Sequence, residues 1–259
     1  MIAARAGSVR RAMACACIVV GATVAVATAR AEPRSGIDYA GADVRAMQDD
    51  DLMNPGMLWV ERGAALWSAG STACAGCHGD AATSMKGVAA RYPAWDAKAA
   101  RVVDLEDRID ACRVERQRAA PFPRESEDLL ALTAFVATQS RGMPIAVDVD
   151  GPAHAAFERG RAFYTERRGQ MNLACTNCHV DNAGKRLYAE TISEGQPNAY
   201  PAYRLEWQSV GSLQRRLRAC LYGVRAAMPP AGAPELTELE LYLAARARGL
   251  PVETPGVRR

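Results

Sequence analysis

The residues of this chain whose types and spacing could do chemistry are its eight cysteines and three histidines. Four of the cysteines stand in Cys74-Ala75-Gly76-Cys77-His78 and Cys175-Thr176-Asn177-Cys178-His179. This is the C-x-x-C-H pattern of haem attachment. The paired thiols reach the two vinyl groups of one porphyrin, and the adjacent imidazole, as the neutral ring, ligates the iron. In an oxidising compartment six cysteines would ordinarily form three disulfides, and paired cysteine and histidine also suit zinc. Two motifs that use two of the three histidines favour covalent haem. Cys74, Cys77, Cys175 and Cys178 are therefore expected to anchor two haem c groups, with His78 and His179 as axial ligands.

The second axial position is open to several residues. Met143 and Met228 stand at suitable distances along the chain, and methionine ligation raises the potential of a transferring cytochrome. Methionine is also a common gap-filler in helical cores. His154 opens the second half with no counterpart in the first. Cys112 and Cys220 recur at the same place in both halves, which favours one task done twice, thiolate ligation of each iron, over a Cys112–Cys220 disulfide.

Arg108 and Arg216 each precede their cysteine by four residues, which on a helix puts them on the same face one turn away. A fixed positive charge there favours the thiolate. Arg215, Arg216, Arg218 and Arg225 surround Cys220 with no acid from Gln208 to Pro234, whereas Cys112 has Glu106, Asp107, Asp110 and Glu115 among its arginines. Taken alone, a basic helix face is a solvated one. Beside a haem-bound sulfur it reads as a funnel for a small dianion.

The elements that must position these residues are duplicated. The two motifs start 101 residues apart, Tyr92-Pro93 stands 20 residues before Cys112, and Tyr200-Pro201 stands 20 before Cys220. Leu105–Cys112 corresponds to Leu213–Cys220, and both halves close alike, in Arg141-Gly142-Met143-Pro144-Ile145 and Arg248-Gly249-Leu250-Pro251-Val252. Leu129, Leu130, Leu132, Phe135 and Val136 in one half, and Leu236, Leu239, Leu241 and Leu243 in the other, have amphipathic helical spacing, stopped by glycine and then proline. The Ala-Leu-Trp segment before Cys74 and the Ala-Phe-Tyr segment before Cys175 read as N-terminal helices. No strand-like alternation competes. The expected fold is mainly α, two tandem cytochrome c-like domains over 32–145 and 146–259, with Gly142–Pro152 as the linker.

Composition bounds the rest. With 259 residues, 49% hydrophobic and 6% aromatic, the chain can bury one large core or two ordinary ones, and each porphyrin would supply planar apolar bulk. Its formal charge of +3 resides in a leader: the first 31 residues hold Arg5, Arg10, Arg11 and Arg30 and no acid, and the remainder is close to neutral. That balance argues against a nucleic-acid binder. Arg5, Arg10 and Arg11 precede an apolar run from Ala12 to Ala29, which contains Cys15 and Cys17, and Ala27, Ala29 and Ala31 give an A-x-A pattern. Residues 1–31 therefore read as a cleaved secretory signal rather than a membrane anchor, with the general export route preferred to the twin-arginine one. The mature protein is expected to be soluble in a bacterial periplasm.

The pattern as a whole resembles the SoxA family, the dihaem subunits of the bacterial thiosulfate-oxidising SoxAX cytochromes. The carriers are both haem motifs, Asp110-Ala111-Cys112-Arg113, Gln139-Ser140-Arg141-Gly142, Gly169-Gln170-Met171-Asn172-Leu173 and Arg216–Ala226, together spanning about Asp49 to Val257. The resemblance implies His/Cys ligation at both haems, with Cys220 as an active-site cysteine found as a persulfide on the second iron, and Arg216 as the substrate-binding arginine. It implies an L-cysteine S-thiosulfotransferase, which joins thiosulfate oxidatively to a cysteine of the carrier SoxYZ. Two electrons then pass through the monohaem partner SoxX to a small cytochrome c. The first haem, with Cys112, would be a relic or a reservoir. Two alternatives stand beside this reading: a thiosulfate dehydrogenase forming tetrathionate without a carrier, and a purely electron-transferring dihaem cytochrome with Met143 and Met228 as distal ligands.

Overall fold

The computed structural model describes residues 1–3, 7 and 32–259; the signal segment read over 1–31, with Cys15 and Cys17, otherwise lies outside the described residues. In chain order the elements are α1 (Ala42–Asp49), α2 (Met57–Trp67), α3 (Cys74–His78), α4 (Ala81–Ser84), β1 (Ala94–Asp96), β2 (Arg101–Val103), α5 (Leu105–Glu115) and α6 (Glu127–Thr138). They continue as α7 (His154–Thr165), α8 (Cys175–His179), β3 (Arg186–Leu187), β4 (Glu190–Thr191), β5 (Ala202–Arg204), β6 (Ser209–Gly211), α9 (Leu213–Gly223), α10 (Pro234–Arg246) and β7 (Gly256–Arg258). The duplication is structural: α2, α3, β1, β2, α5 and α6 are repeated as α7, α8, β5, β6, α9 and α10. No helix among the described residues is long and apolar enough to cross a membrane.

In each half the long N-terminal helix crosses the C-terminal one at a glycine. A Cβ on Gly63 of α2 would stand 2.2 Å from the Ala131 carbonyl oxygen of α6, and one on Gly160 of α7 would stand 2.0 Å from the Glu238 carbonyl oxygen of α10. Both distances are far inside van der Waals contact, so only glycine lets the backbones meet. The expected apolar stripes are the ones buried: Leu129 and Leu130 of α6, and Leu236, Leu239, Leu241 and Leu243 of α10, are at most 3% exposed. The cysteine-bearing helices start at matched caps. The Asp104 carboxylate accepts from the Asp107 amide at 2.7 Å, and the Ser212 hydroxyl accepts from the Arg215 amide at 3.0 Å, satisfying a donor that the first turn leaves open.

Two features were not visible in the sequence. The segment Gly142–Pro152, read as the linker, is packed: Ile145, Val147 and Val149 are buried in a core that also takes Ala90, Val102, Ala153, Leu241, Ala244 and Val252 from both halves. Its residues alternate between buried and exposed, a half-buried extended pattern that the flanking glycine and prolines disguise as a loop. The small sheets also escaped the sequence. β1 pairs antiparallel with β2, β5 with β6, and β7 from the chain end joins β5 in parallel. Strands of three residues are too short to show alternation.

The halves share polar as well as apolar contacts, and Pro33–Arg259 forms one compact unit. Arg124 donates to Asp104 at 2.9 Å and to Glu106 at 2.9 Å, and pairs with Asp107. Gln214 of the second half donates to Asp104 at 3.0 Å and, at 3.4 Å, to Thr237 and to Glu240. Burial, and then the charge of Asp104, push Glu106 up to about 8 against the pull of Arg124. Burial likewise lifts Glu240 well above its ordinary value, with Asp104 and Glu106 adding to the shift. Several carboxylates around one guanidinium cannot all ionise in so little water.

Candidate haem and anion site

Each C-x-x-C-H motif winds into a single helical turn, α3 or α8, that sets its two cysteines and the terminal histidine on one short rigid element. All six cysteines of the described residues are free, Cys77 exposed and the others half-buried. Cys112 and Cys220 are therefore not joined to each other. Each is instead delivered to the motif of its own half. Cys112 on α5 is near enough to Cys74 for its charge to raise that thiol, after burial as the larger cause. Cys220 on α9 does the same to Cys175, which burial first and Cys220 second push up to about 11.

The histidines are held differently. Trp67 of α2 donates its indole N–H to the Gly79 carbonyl at 3.1 Å and packs 5.6 Å from the His78 ring. Gln117 ties the same region by donating to the Thr72 carbonyl at 2.8 Å. His179 has a direct anchor, because its Nδ1–H donates to the Ser193 carbonyl at 2.8 Å. A carbonyl only accepts, so Nδ1 carries a proton and Nε2 is the ring nitrogen left for a metal. Gly195, at φ +69°, brings the loop against the ring: a Cβ there would lie 2.9 Å from His179 Cγ.

Cys220 lies close enough to His179 to feel it. Burial alone would raise the Cys220 thiol, but that contact, followed by the charges of Arg216, His179 and Arg204, holds it below the ordinary thiol range. A cysteine held toward its thiolate beside an anchored imidazole, with Cys175 and Cys178 alongside, suits a covalent haem with His/Cys ligation, so the residues fit that group. The other distal candidates are engaged elsewhere or exposed. Met143 packs its methyl against Gly87, Met228 is 44% exposed, and His154 is exposed at the start of α7, stacked on Phe157 at 6.2 Å.

The two arginines one turn before the cysteines have opposite surroundings. Arg108 donates to the Tyr92 hydroxyl at 3.1 Å and pairs with Asp96 at 2.5 Å. Arg216 makes no such bond; its nearest carboxylate oxygen is Glu206 Oε1 at 3.7 Å, and its side chain is 32% exposed. Of the neighbouring arginines, Arg215 stacks over Trp207 at 4.3 Å and Arg225 is exposed. Arg204, absent from the sequence-based site, lies on β5 and contributes to the field at Cys220. The signal was present: extending the repeat from Tyr92-Pro93 and Tyr200-Pro201 aligns Asp96 with Arg204.

The family described as SoxA/TsdA, cytochrome c domain, matches residues 62–145 and 159–252, more than half of the chain. The L-cysteine S-thiosulfotransferase subunit SoxA of Pseudaminobacter salicylatoxidans is 45% identical over 88% of this chain and 82% of its own length. The subunit of the same name from Rhodovulum sulfidophilum is 38% identical over 88% and 80%. Among solved structures, SoxXA from P. pantotrophus superposes with a TM-score of 0.84 at 35% identity, covering 88% of this chain and 87% of that one. The fold is thus a mainly α cytochrome c fold. Each matched stretch holds one attachment motif, so the chain carries two covalent haem c groups, and with this likeness along nearly all of its described length it belongs to the SoxA family.

Proposed function

We propose that this chain is the catalytic subunit of an L-cysteine S-thiosulfotransferase, with Cys220 as the reacting residue and Arg216 as the thiosulfate-binding one. The observation that carries the reading is the second site itself: a thiolate-prone Cys220 opposite an anchored His179, beside an arginine with no hydrogen-bonded carboxylate. Arg216 attracts and orients the dianion. The sulfane sulfur of thiosulfate is joined to the Cys220 sulfur with loss of two electrons. The carrier thiolate then attacks that sulfane sulfur, forming the carrier S-thiosulfonate and returning the Cys220 thiolate. Haem, when bound, supplies the electron acceptor for the first step.

In this proposal Cys74 and Cys77 with His78 and Cys112 hold one haem, and Cys175 and Cys178 with His179 and Cys220 hold the other, in cytochrome c domains over 32–145 and 146–259. The partners are a monohaem SoxX subunit in a heterodimer, the carrier SoxYZ and a small cytochrome c as acceptor. Met171, Val180, Tyr222 and Met228, all exposed around the second motif and α9, offer an apolar rim for such a partner. Residues 1–31 are removed on export, and the mature protein works in the periplasm.

The test supplies thiosulfate and oxidised cytochrome c to the haem-loaded heterodimer, with and without carrier, and follows carrier mass and tetrathionate together. A carrier-dependent electron flow with a thiosulfate adduct on the carrier is expected. Tetrathionate formed equally well without carrier would make the protein a dehydrogenase, and neither product would leave electron transfer alone.

A further inference from the structure

We infer that Arg204 is a second anion-binding residue for the sulfo end of the substrate, and that Glu206 is an internal anion displaced when the substrate enters. This rests on the reading that Arg216 and Cys220 take thiosulfate.

Arg204 ends β5, the middle strand of its small sheet, and is only 4% exposed. A guanidinium taken out of water needs partners for its N–H groups. Its Nε donates to Glu206 Oε1 at 2.8 Å, and its carbon stands 5.1 Å from the Trp207 ring centroid. Its Nη2 is enclosed and has no partner. The same Glu206 Oε1 is the atom that Arg216 Nη1 approaches at 3.7 Å. Two guanidinium groups therefore converge on one carboxylate oxygen, and one of them still has an unused buried donor.

The duplicated half shows what this place looks like when it is not receptive. There the aligned residue is Asp96, and the Arg108–Asp96 pair closes on itself with Tyr92 completing the bonds. Replacing that carboxylate by a guanidinium turns a neutral pair into two cations. Two like charges so placed are costly without an anion between them. Glu206 supplies one, but its side chain is 46% exposed, while Arg204 beneath it is 5% exposed. A half-exposed carboxylate over a buried guanidinium is a counter-ion that an entering anion can displace. A tetrahedral sulfo group, with three oxygens, can accept from both arginines at once, where the single Glu206 oxygen reaches one at hydrogen-bond distance and the other only loosely.

The experiment uses the haem-loaded heterodimer and reads the KM for thiosulfate, kcat, and the inhibition constant of sulfate as a non-reacting probe. Arg204→Gln is expected to raise KM and the sulfate constant together by about tenfold with kcat little changed, and Arg204→Lys to recover part of the loss. Arg204→Asp, which copies the first half, is expected to weaken both further. Glu206→Gln is expected to tighten both several-fold, which separates a competing anion from a mere prop of the hairpin. Unchanged anion constants in Arg204→Gln would overturn the inference. So would a shifted midpoint potential of the second haem with unchanged sulfate affinity, since Nη2 would then serve a haem propionate. Should Arg204→Gln fail to load haem, Glu206→Gln decides alone: equal or weaker anion binding sinks the idea. Carrier transfer retained by Cys220→Ala would instead bring down the underlying site, while the sulfate constants would still be readable.

Discussion

The first and second haem sites are built from the same parts in the same order, yet their electrostatics are opposed. Around Cys112 the helix α5 mixes acids with arginines, and Arg108 is bonded to Asp96 and Tyr92. Around Cys220 the helix α9 carries only basic charge, Asp96 is replaced by Arg204, and Arg216 is left without a hydrogen-bonded carboxylate. Among the described residues, the buried guanidinium nitrogens that lack a partner belong to Arg168, Arg204 and Arg218, all in the second half. A duplicated scaffold can carry a closed, charge-balanced pair in one copy and guanidinium nitrogens without partners in the other by changing a few side chains.

The largest effect that would break this contrast is on the cysteines. Cys220→Ala is expected to abolish carrier-dependent thiosulfate transfer, by at least about a thousandfold, whereas Cys112→Ala is expected to keep the rate within several-fold while changing the ferric spectrum of the first haem. Equal losses in the two variants would make the sites functionally equivalent. Next come the paired arginines: Arg216→Gln should lower kcat/KM by about a hundredfold through lost charge-assisted contacts. Arg108→Gln should leave kinetics alone and cost at most about 1 kcal/mol of stability, because its pair with Asp96 is partly solvated.

A finer contrast concerns how the histidines are held. Gly195→Ala puts a Cβ against the His179 ring at a backbone conformation that costs about 1–3 kcal/mol for other residues. Optical and paramagnetic spectra of the holoprotein should show the second haem altered and the first unchanged. The last contrast, which leaves the chemistry untouched, is at the joint between the halves. Glu106 has its folded pKa raised from 4.5 to about 8, so the unfolded chain loses its proton first as pH rises. Stability conferred by the protonated acid is present below pH 4.5 and is lost progressively up to about pH 8. Thermal unfolding of the holoprotein across that window should show the decline, and Glu106→Gln should flatten it.

How far the sequence reached can be judged from particular residues. Both attachment motifs, both Cys-bearing helices and the α6 and α10 stripes were legible because each is local: a spacing of three, an offset of four, an apolar face repeated every turn. The burial of Ile145–Val149 within the linker was not legible because glycine and proline at its edges read as a connection, and only its packing in the halves' common core shows it. The short hairpins, the Gly63 and Gly160 crossings and the Ser193 anchor involve partners brought together by folding, to which no local period points.

By itself, then, the sequence determined that this is a duplicated c-type cytochrome, since covalent attachment needs only two thiols and a histidine on one turn, and that it resembles the SoxA family. Which residues lie near each motif, and which arginine is hydrogen-bonded to a carboxylate, depends on the tertiary structure. Met143, Met228, His154, Cys112 and Cys220 are all chemically able to bind iron, and residue type alone does not separate them. Likewise Arg108 and Arg216 are identical by type and spacing. One is hydrogen-bonded to a carboxylate and the other is not, because a carboxylate stands on β1 where a guanidinium stands on β5, and charge at a site depends on what is near in space.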